Sequence, residues 1–340
     1  MASSQISATI IGASGYAGAE LLRILSQHGK VGEIIATSRS QAGKPYFKVH
    51  PNLRNVEGSF AKETGEELKA DVVFTATPHG VAMNLAPHLG AKTKLIDISA
   101  DFRLDQAEFE QTYGMPHACP NLLKQAVYGL PEINRDKIRK AKIVANPGCY
   151  PTSAILALYP IVKAGIPNGF IAVDSKSGSS GAGDDPSQFL HHPEVHANLK
   201  HYKLVSHRHR PEIERHLSLA SGKDVTLSFT PMLVPIARGI VSTCHVGYSK
   251  LNDDLFELYL RNYKDAPFVR VLDEIPTIAP VIGTNYCDVF AAIDEHAKQI
   301  IAIGAIDNLI KGASGQAVQN MNLMFGFKET EGLNFIAGRV

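Results

Sequence analysis

At 340 residues, 44% hydrophobic and 20% charged, the chain has the length and balance of a globular protein of two domains. A formal net charge of +1, with no basic cluster interleaved with aromatics, argues against nucleic acid and anionic membranes as partners. The longest apolar run, residues 154–162, contains Pro160 and is too short to cross a bilayer.

The opening Met-Ala-Ser-Ser-Gln-Ile lacks a basic stretch and runs straight into a strand, so no secretory leader is expected. Cys119, Cys149, Cys244 and Cys287 are widely spaced, without a CxxC pair. That pattern argues against a disulfide framework or a zinc site and fits a reducing cytoplasm.

Along the first half, strand and helix patterns alternate. Residues 6–11 read as a strand, 15–28 as a helix with apolar Ala19, Leu21, Leu22 and Leu25, and 32–37 as a second strand. Strands follow at 71–77 and 95–99, with a helix at 81–89 between them, and a late strand at 142–146. This is the signature of an α/β, doubly wound parallel sheet.

Gly12-Ala-Ser14-Gly15-Tyr16-Ala17-Gly18 follows the first strand and opens the first helix. It is a G-x-x-G-x-x-G variant of the dinucleotide fingerprint: glycines allow a tight turn and close backbone approach, and the helix start faces a pyrophosphate. The second strand ends in Thr37-Ser38-Arg39, hydroxyls and an Arg where an NAD enzyme usually places an acidic residue. An Arg there suits a 2′-phosphate, so NADPH/NADP is the expected cofactor and the domain reads as Rossmann-like.

Asp97-Ile-Ser99-Ala-Asp-Phe-Arg103 closes a strand with Ser99 and Arg103 as expected anion partners. Then comes Asn146-Pro147-Gly148-Cys149, a turn after a buried strand, with Pro151 in the first turn of a helix to Val162. The thiol is expected over unpaired helix N–H groups, whose field favours the nucleophilic thiolate.

Beyond residue 165 the pattern changes. Runs at 170–175, 225–233, 240–248 and 299–306 read as strands of an α+β domain on a largely antiparallel sheet, with helices at 253–266 and 312–325. The expected organisation is a dinucleotide-binding domain over 1–148 and a catalytic and dimerisation domain over 149–311. The helical segment 312–340 is expected to return to the first.

Lys176-Ser-Gly-Ser179-Ser-Gly181-Ala-Gly183 offers backbone N–H groups to nicotinamide, substrate or phosphate. In Ser206-His207-Arg208-His209-Arg-Pro211-Glu212, Pro211 is expected to start a helix to Leu219, leaving His207, Arg208 and His209 in the preceding loop. A histidine there is the natural acid/base near neutral pH, and Glu212 can reach back to orient it. His191-His192-Pro-Glu194-Val-His196 lacks the spacing of a metal site, and no metal is expected.

These stretches, with Val127-Tyr-Gly-Leu-Pro-Glu132 and Ala305-Ile-Asp-Asn308-Leu-Ile-Lys-Gly312, resemble the N-acetyl-γ-glutamyl-phosphate reductases over nearly the whole chain. Broader relatives are the aspartate-semialdehyde and phosphorylating glyceraldehyde-phosphate dehydrogenases. The resemblance implies NADPH-dependent reduction of an acyl phosphate to an aldehyde, with Cys149 as nucleophile and His209 as acid/base. It places Ser99, Arg103, Ser179, His207 and Arg208 on the substrate, while Pro78, Gly181 and Asn308 complete the cofactor set. A homodimer or homotetramer is expected.

Asp184-Asp185-Pro186 stands where many members carry Arg, and His191-His-Pro-Glu194 is similar to relatives acting on a glutamyl or aminoadipyl phosphate held by an acidic carrier protein. Those relatives have Asn-Ala-Thr after the cysteine, whereas Tyr150-Pro151-Thr152 here favours the free acetylated small molecule.

Overall fold

The computed structural model describes residues 5–251 and 254–338. The first four residues, on which the leader reading rests in part, lie outside the described residues, as do Asp253, the expected start of a helix, and 339–340. The chain divides into two compact units: residues up to 147 with 313–334, and residues 148–312 with the stretch after 334.

The first unit holds six strands: β1 (Ile6–Ile11), β2 (Val31–Ala36), β3 (Val72–Thr75), β4 (Lys94–Asp97), β5 (Val127–Tyr128) and β6 (Ile143–Ala145). They lie in the order β2-β1-β3-β4-β6-β5 with every pair parallel, a Rossmann-like sheet. The all-apolar interiors of β3 and β6 are buried, as strands covered on both faces must be. The first helix is shorter than the periodicity suggests, Tyr16–Leu25, because Ser26 and the buried His28 turn the chain into β2. The expected 81–89 helix breaks into Ala82–Leu85 and a tight turn Ala86–His88, since Pro87 supplies no N–H.

The second unit carries β7 (Pro167–Ser177), β8 (Lys200–His201), β9 (Ser228–Leu233), β10 (Ile240–Tyr248), β11 (Val269–Val271), β12 (Cys287–Asp294) and β13 (Gln299–Ile306). Their order is β11-β12-β13-β10-β7-β9-β8, parallel only at β11–β12 and β7–β9. Alternate residues of β10 are buried, and that face packs on the helix Cys149–Lys163 through a hydroxyl chain: Ser242 Oγ lies 2.6 Å from Ser153 Oγ and 2.7 Å from Ser175 Oγ.

The Cys149–Lys163 helix runs through Pro160, which cannot donate to the carbonyl of Leu156. Tyr263 Oη donates to that carbonyl at 2.5 Å, so the helix continues intact. Tyr263 closes the helix Leu255–Tyr263, whose first turn is capped by Asp254 accepting from Glu257 N at 3.0 Å.

Beyond β13 a wide turn, Ile310–Ser314, leads into the helix Gly315–Phe325 of the first unit, which ends at the left-handed Gly326. Most of that helix is buried, polar residues included.

Candidate active site

Cys149 is the first residue of its helix, with Gly148 as the capping position and no acidic residue in the first turn. The thiol thus sits in the positive field of a helix start, where thiolate is favoured. The three other cysteines are buried and none of the four is disulfide-bonded. Burial, with the Asp101 and Asp97 charges, pushes the Cys119 thiol up to about 11, and burial alone pushes Cys244 higher still.

The turn before Cys149 is pinned on both sides. Within the first unit, Asn146 is fully buried and uses four groups: its N–H donates to Asp97 O (2.8 Å), its carbonyl accepts from Arg103 Nε (2.9 Å), its Nδ2 donates to Ala313 O (3.0 Å) and its Oδ1 accepts from Asn320 Nδ2 (3.0 Å). Within the second unit, Gly148 N donates to Glu212 Oε1 at 2.9 Å. Glu212 is buried on the helix His209–Ser221.

That helix corrects the expected loop: His209 is its first residue, and only His207 and Arg208 precede it. Pro211 occupies the third position instead of the first, because no first-turn N–H has an intrahelical acceptor and proline is tolerated throughout the turn. The Cys149 helix follows the same plan, with Pro151 third.

His207 Nδ1 accepts from His209 N at 3.1 Å, which assigns the ring proton to Nε2. Edge-on contacts to Tyr150, Tyr202 and Phe229 surround the ring. Burial, reinforced by the Lys203 and Arg208 charges, lowers its pKa to about 4, so His207 is neutral at physiological pH. Arg208 and His209 are half-buried beside it.

Tyr150 and Tyr202 share a hydroxyl–hydroxyl bond of 2.9 Å, and burial raises both phenols. Neither they nor Asn146 stand out in sequence as site residues. Tyr150 is signalled only by its place after the cysteine, and Tyr202 has no local signal.

The glycine-rich loop of the second unit offers fewer donors than its composition suggests. The N–H groups of Gly178, Ser179 and Ser180 donate to the carbonyls of Gly239, Ile236 and Ala237, and Ser179 Oγ also points to Ile236 O at 3.4 Å. Gly181 remains exposed. Asn308 is buried and holds the loop, donating to Ser180 Oγ (3.0 Å) and accepting from Gly239 N (2.7 Å).

In the first unit the glycine turn has the shape a dinucleotide needs. Gly12 has φ +81°, and a Cβ there would lie 2.5 Å from Ala76 O. A Cβ on Gly18 would lie 2.5 Å from Ala13 Cα, so the turn and helix close tightly only with glycine. Gly15 caps the helix without a side-chain bond, leaving first-turn N–H groups for an anion, with Tyr16 exposed beside them. Ala17 O accepts from Ser314 Oγ at 2.8 Å.

Ser38 Oγ donates to Ser14 Oγ at 2.9 Å, tying the end of β2 to the turn. Arg39 is exposed, 3.0 Å from Glu63. Pro78 is exposed past the end of β3. These residues fit a nicotinamide dinucleotide.

Ser99 and Arg103 are placed differently from an open anion site. Both are buried at the end of β4, and Arg103 spends two donors on Asn146 O and Ile98 O (2.7 Å). Ser99 N donates to Asp97 Oδ1 at 2.9 Å, and burial, with Asp101 nearby, raises the Asp97 carboxyl to about 6. Among the described residues no group of three or more metal-ligating side chains is assembled, and no helix is long and apolar enough to cross a membrane.

Two families match the chain: the semialdehyde dehydrogenase NAD binding domain over residues 7–141 and the semialdehyde dehydrogenase dimerisation domain over residues 149–308. An N-acetyl-gamma-glutamyl-phosphate reductase of Methanosphaera stadtmanae is 48% identical over 338 residues, 97% of this chain and 98% of its own length. One of Methanopyrus kandleri is 50% identical over 339 residues, 95% of this chain and 96% of its own. Aspartate semialdehyde dehydrogenase II of Vibrio cholerae, complexed with ASA, has TM-score 0.73 at 20% identity, covering 95% of this chain and 99% of that one. An aspartate semialdehyde dehydrogenase with NADP from Candida albicans has TM-score 0.71 at 15% identity over 95% and 99% of the two chains. At such identities these structures establish the shared fold.

The neutral His207 has a consequence for stability. Its folded pKa of about 4 lies below the unfolded value of about 6.5, so its contribution is complete above pH 6.5 and lost as pH falls toward 4. His207→Gln should therefore show a shallower loss of stability over that window, by about one proton in the slope. Denaturant melts of both proteins at several pH values measure it; parallel slopes would place a charged ring in the folded state.

Proposed function

The chain belongs to the N-acetyl-gamma-glutamyl-phosphate reductases, oxidoreductases of arginine biosynthesis, and we propose that Cys149 and His209 carry its chemistry with NADPH as reductant. The observation that carries this reading is the pairing of two helix starts. Cys149 opens one, His209 opens the other, and Glu212 of the second bonds the capping residue of the first.

The Cys149 thiolate attacks the acyl carbon of N-acetyl-γ-glutamyl phosphate, and helix-start N–H groups receive the oxyanion. The C–O bond to phosphate breaks, phosphate leaves with the electron pair and takes up one proton, and a thioester remains on Cys149. The thioester carbonyl is a far better hydride acceptor than a carboxylate. When bound, the nicotinamide dinucleotide supplies the hydride for that carbon. His209 gives a proton to the resulting thiohemiacetal oxygen and recovers it as the C–S bond breaks, releasing N-acetylglutamate 5-semialdehyde and the thiolate.

Glu212 holds the turn under Cys149 and lies three residues beyond His209, on the same side of its helix. Arg208 supplies positive charge for the anionic substrate. His207 shapes the substrate side with Tyr150 and Tyr202, and Ser179 is a further substrate contact of the second unit, whereas Ser99 and Arg103, both buried, act through the turn that Arg103 holds at Asn146. The cofactor is held by Gly12, Ser14, Gly15, Tyr16, Ala17 and Gly18 at its pyrophosphate and by Ser38 and Arg39 at its ribose phosphate. Pro78, Gly181 and Asn308 meet the rest of it. The Tyr-Pro-Thr that follows Cys149 favours the free acetylated substrate over a carrier-bound one.

A homodimer is the expected assembly. The strand alternation that buries Cys244 and Val246 turns Thr243 and His245 to the other face, in register with Ile303 and Ile301 of β13. Phe290 and Ala292 of β12 continue these rows, giving a half-exposed, mostly apolar face suited to a second copy. The dimerisation domain family that matches residues 149–308 supports this.

Cys149→Ser should abolish turnover while leaving NADPH affinity within a few-fold, because the glycine turn and not the thiol holds the dinucleotide. Residual activity above about a tenth of wild type would remove Cys149 from the nucleophile role. Arg39→Asp should weaken NADPH far more than NADH in a binding titration, by repelling the 2′-phosphate; equal losses would defeat the NADP assignment. Ile301→Lys should shift the assembly to monomer in sedimentation equilibrium, and an unchanged mass would move the interface elsewhere.

A further inference from the structure

The wide turn after β13 is locked by a buried carboxylate. Gly312 N donates to Asp307 O, five residues back, at 2.9 Å. Asp307 is fully buried, and its carboxylate accepts from Leu309 N (2.8 Å), Ile310 N (3.2 Å) and Gly283 N (2.7 Å) and pairs with Arg238 Nε (3.0 Å). Turns of this wide type recur at functional sites.

Here the turn lays the bare backbone of Gly312 against the back of Cys149. A Cβ on Gly312 would lie 2.8 Å from Cys149 Cβ, 3.2 Å from Cys149 Cα and 3.2 Å from Ile306 Cδ1. The optimum between carbon atoms is about 3.5–4.0 Å. The φ of Gly312 lies outside the left-handed region, so nothing in its backbone requires glycine. In a helical turn alanine is the better residue. The demand for glycine at this position is steric, and the atom that makes it is the Cβ carrying the thiol.

We infer that Gly312 is a positioning residue: its missing side chain sets where Cys149 Sγ lies. The inference rests on the reading of Cys149 as nucleophile. A methyl group at 312 has to be absorbed by the cysteine, because both supports are fixed. The Asp307 carboxylate holds the turn on one side, and the Gly148–Glu212 bond holds the helix start on the other.

The test is Gly312→Ala in the full chain. Expected are a fall in kcat of about 10- to 100-fold, the cost of misplacing a reacting atom by a fraction of an ångström to one ångström, with KM for the acyl phosphate nearly unchanged. Iodoacetamide should also alkylate Cys149 more slowly. That readout needs no turnover, so it reports on the thiol's placement even if Cys149→Ser were to retain activity and the nucleophile reading failed.

A melting cycle isolates the clash. Gly312→Ala should lower Tm in the wild-type background but not in Cys149→Gly, which lacks the opposing Cβ. Wild-type kcat and alkylation rate in Gly312→Ala, a loss carried by KM, or an equal fall in Tm in both backgrounds would each overturn the inference. If Gly312→Ala alone does not fold, the double variant decides: folding supports the steric contact with Cys149, and failure to fold refutes it.

Discussion

One buried hydrogen bond, from Gly148 N to the Glu212 carboxylate, ties together the two helices whose first residues are Cys149 and His209. A carboxylate bonded to a backbone N–H in a buried setting forms a strong, charge-assisted contact, and stranding either group there costs about 1–3 kcal/mol or more. The bond therefore fixes position as well as stability. Both helices reach it with the same economy: a proline in the third position, where its missing N–H has no intrahelical partner to lose.

The two histidines divide the remaining work by environment. His207 is caged by Tyr150, Tyr202 and Phe229, and spends its Nδ1 lone pair on His209 N. Desolvation holds it neutral, so it serves as a rigid acceptor at the start of the next helix. His209 opens that helix, three residues before Glu212. Tyr150 meets both rings edge-on, while Tyr202 and Phe229 close on His207.

What the amino-acid sequence reveals follows from the range of the interactions involved. The glycine turn, the parallel alternation and the cysteine at a strand-to-helix corner are local patterns, and the structure contains each of them. The His209 helix starts two residues before Pro211, the expected first residue, because any first-turn position accepts proline. Ser99 and Arg103 look like anion ligands at a strand end. Burial instead commits Arg103 to the carbonyls of Asn146 and Ile98, partners one of which lies 43 positions away. The glycine-rich loop loses its free donors in the same way, to a segment some 60 residues on. The Asp105–Glu108 capping box that opens the Gln106–Tyr113 helix is likewise a local signal.

The last helix shows why distant polar residues matter to a local corner. In Gly315–Phe325 the buried face includes Gln319, Asn320 and Asn322, side chains that periodicity alone would send to solvent. Each finds a partner inside: Asn322 bonds His28 at 3.0 Å, Gln319 bonds Glu329 at 2.9 Å, and Asn320 bonds Gly129 O and Asn146. Apolar residues would pack as well but would fix no register, whereas an amide with specific acceptors allows one placement. Through Asn320 that placement passes to Asn146, and Asn146 in turn holds Ala313. Within the first unit the chain is thus fixed as far as Asn146, and within the second it is fixed again from Gly148 by Glu212.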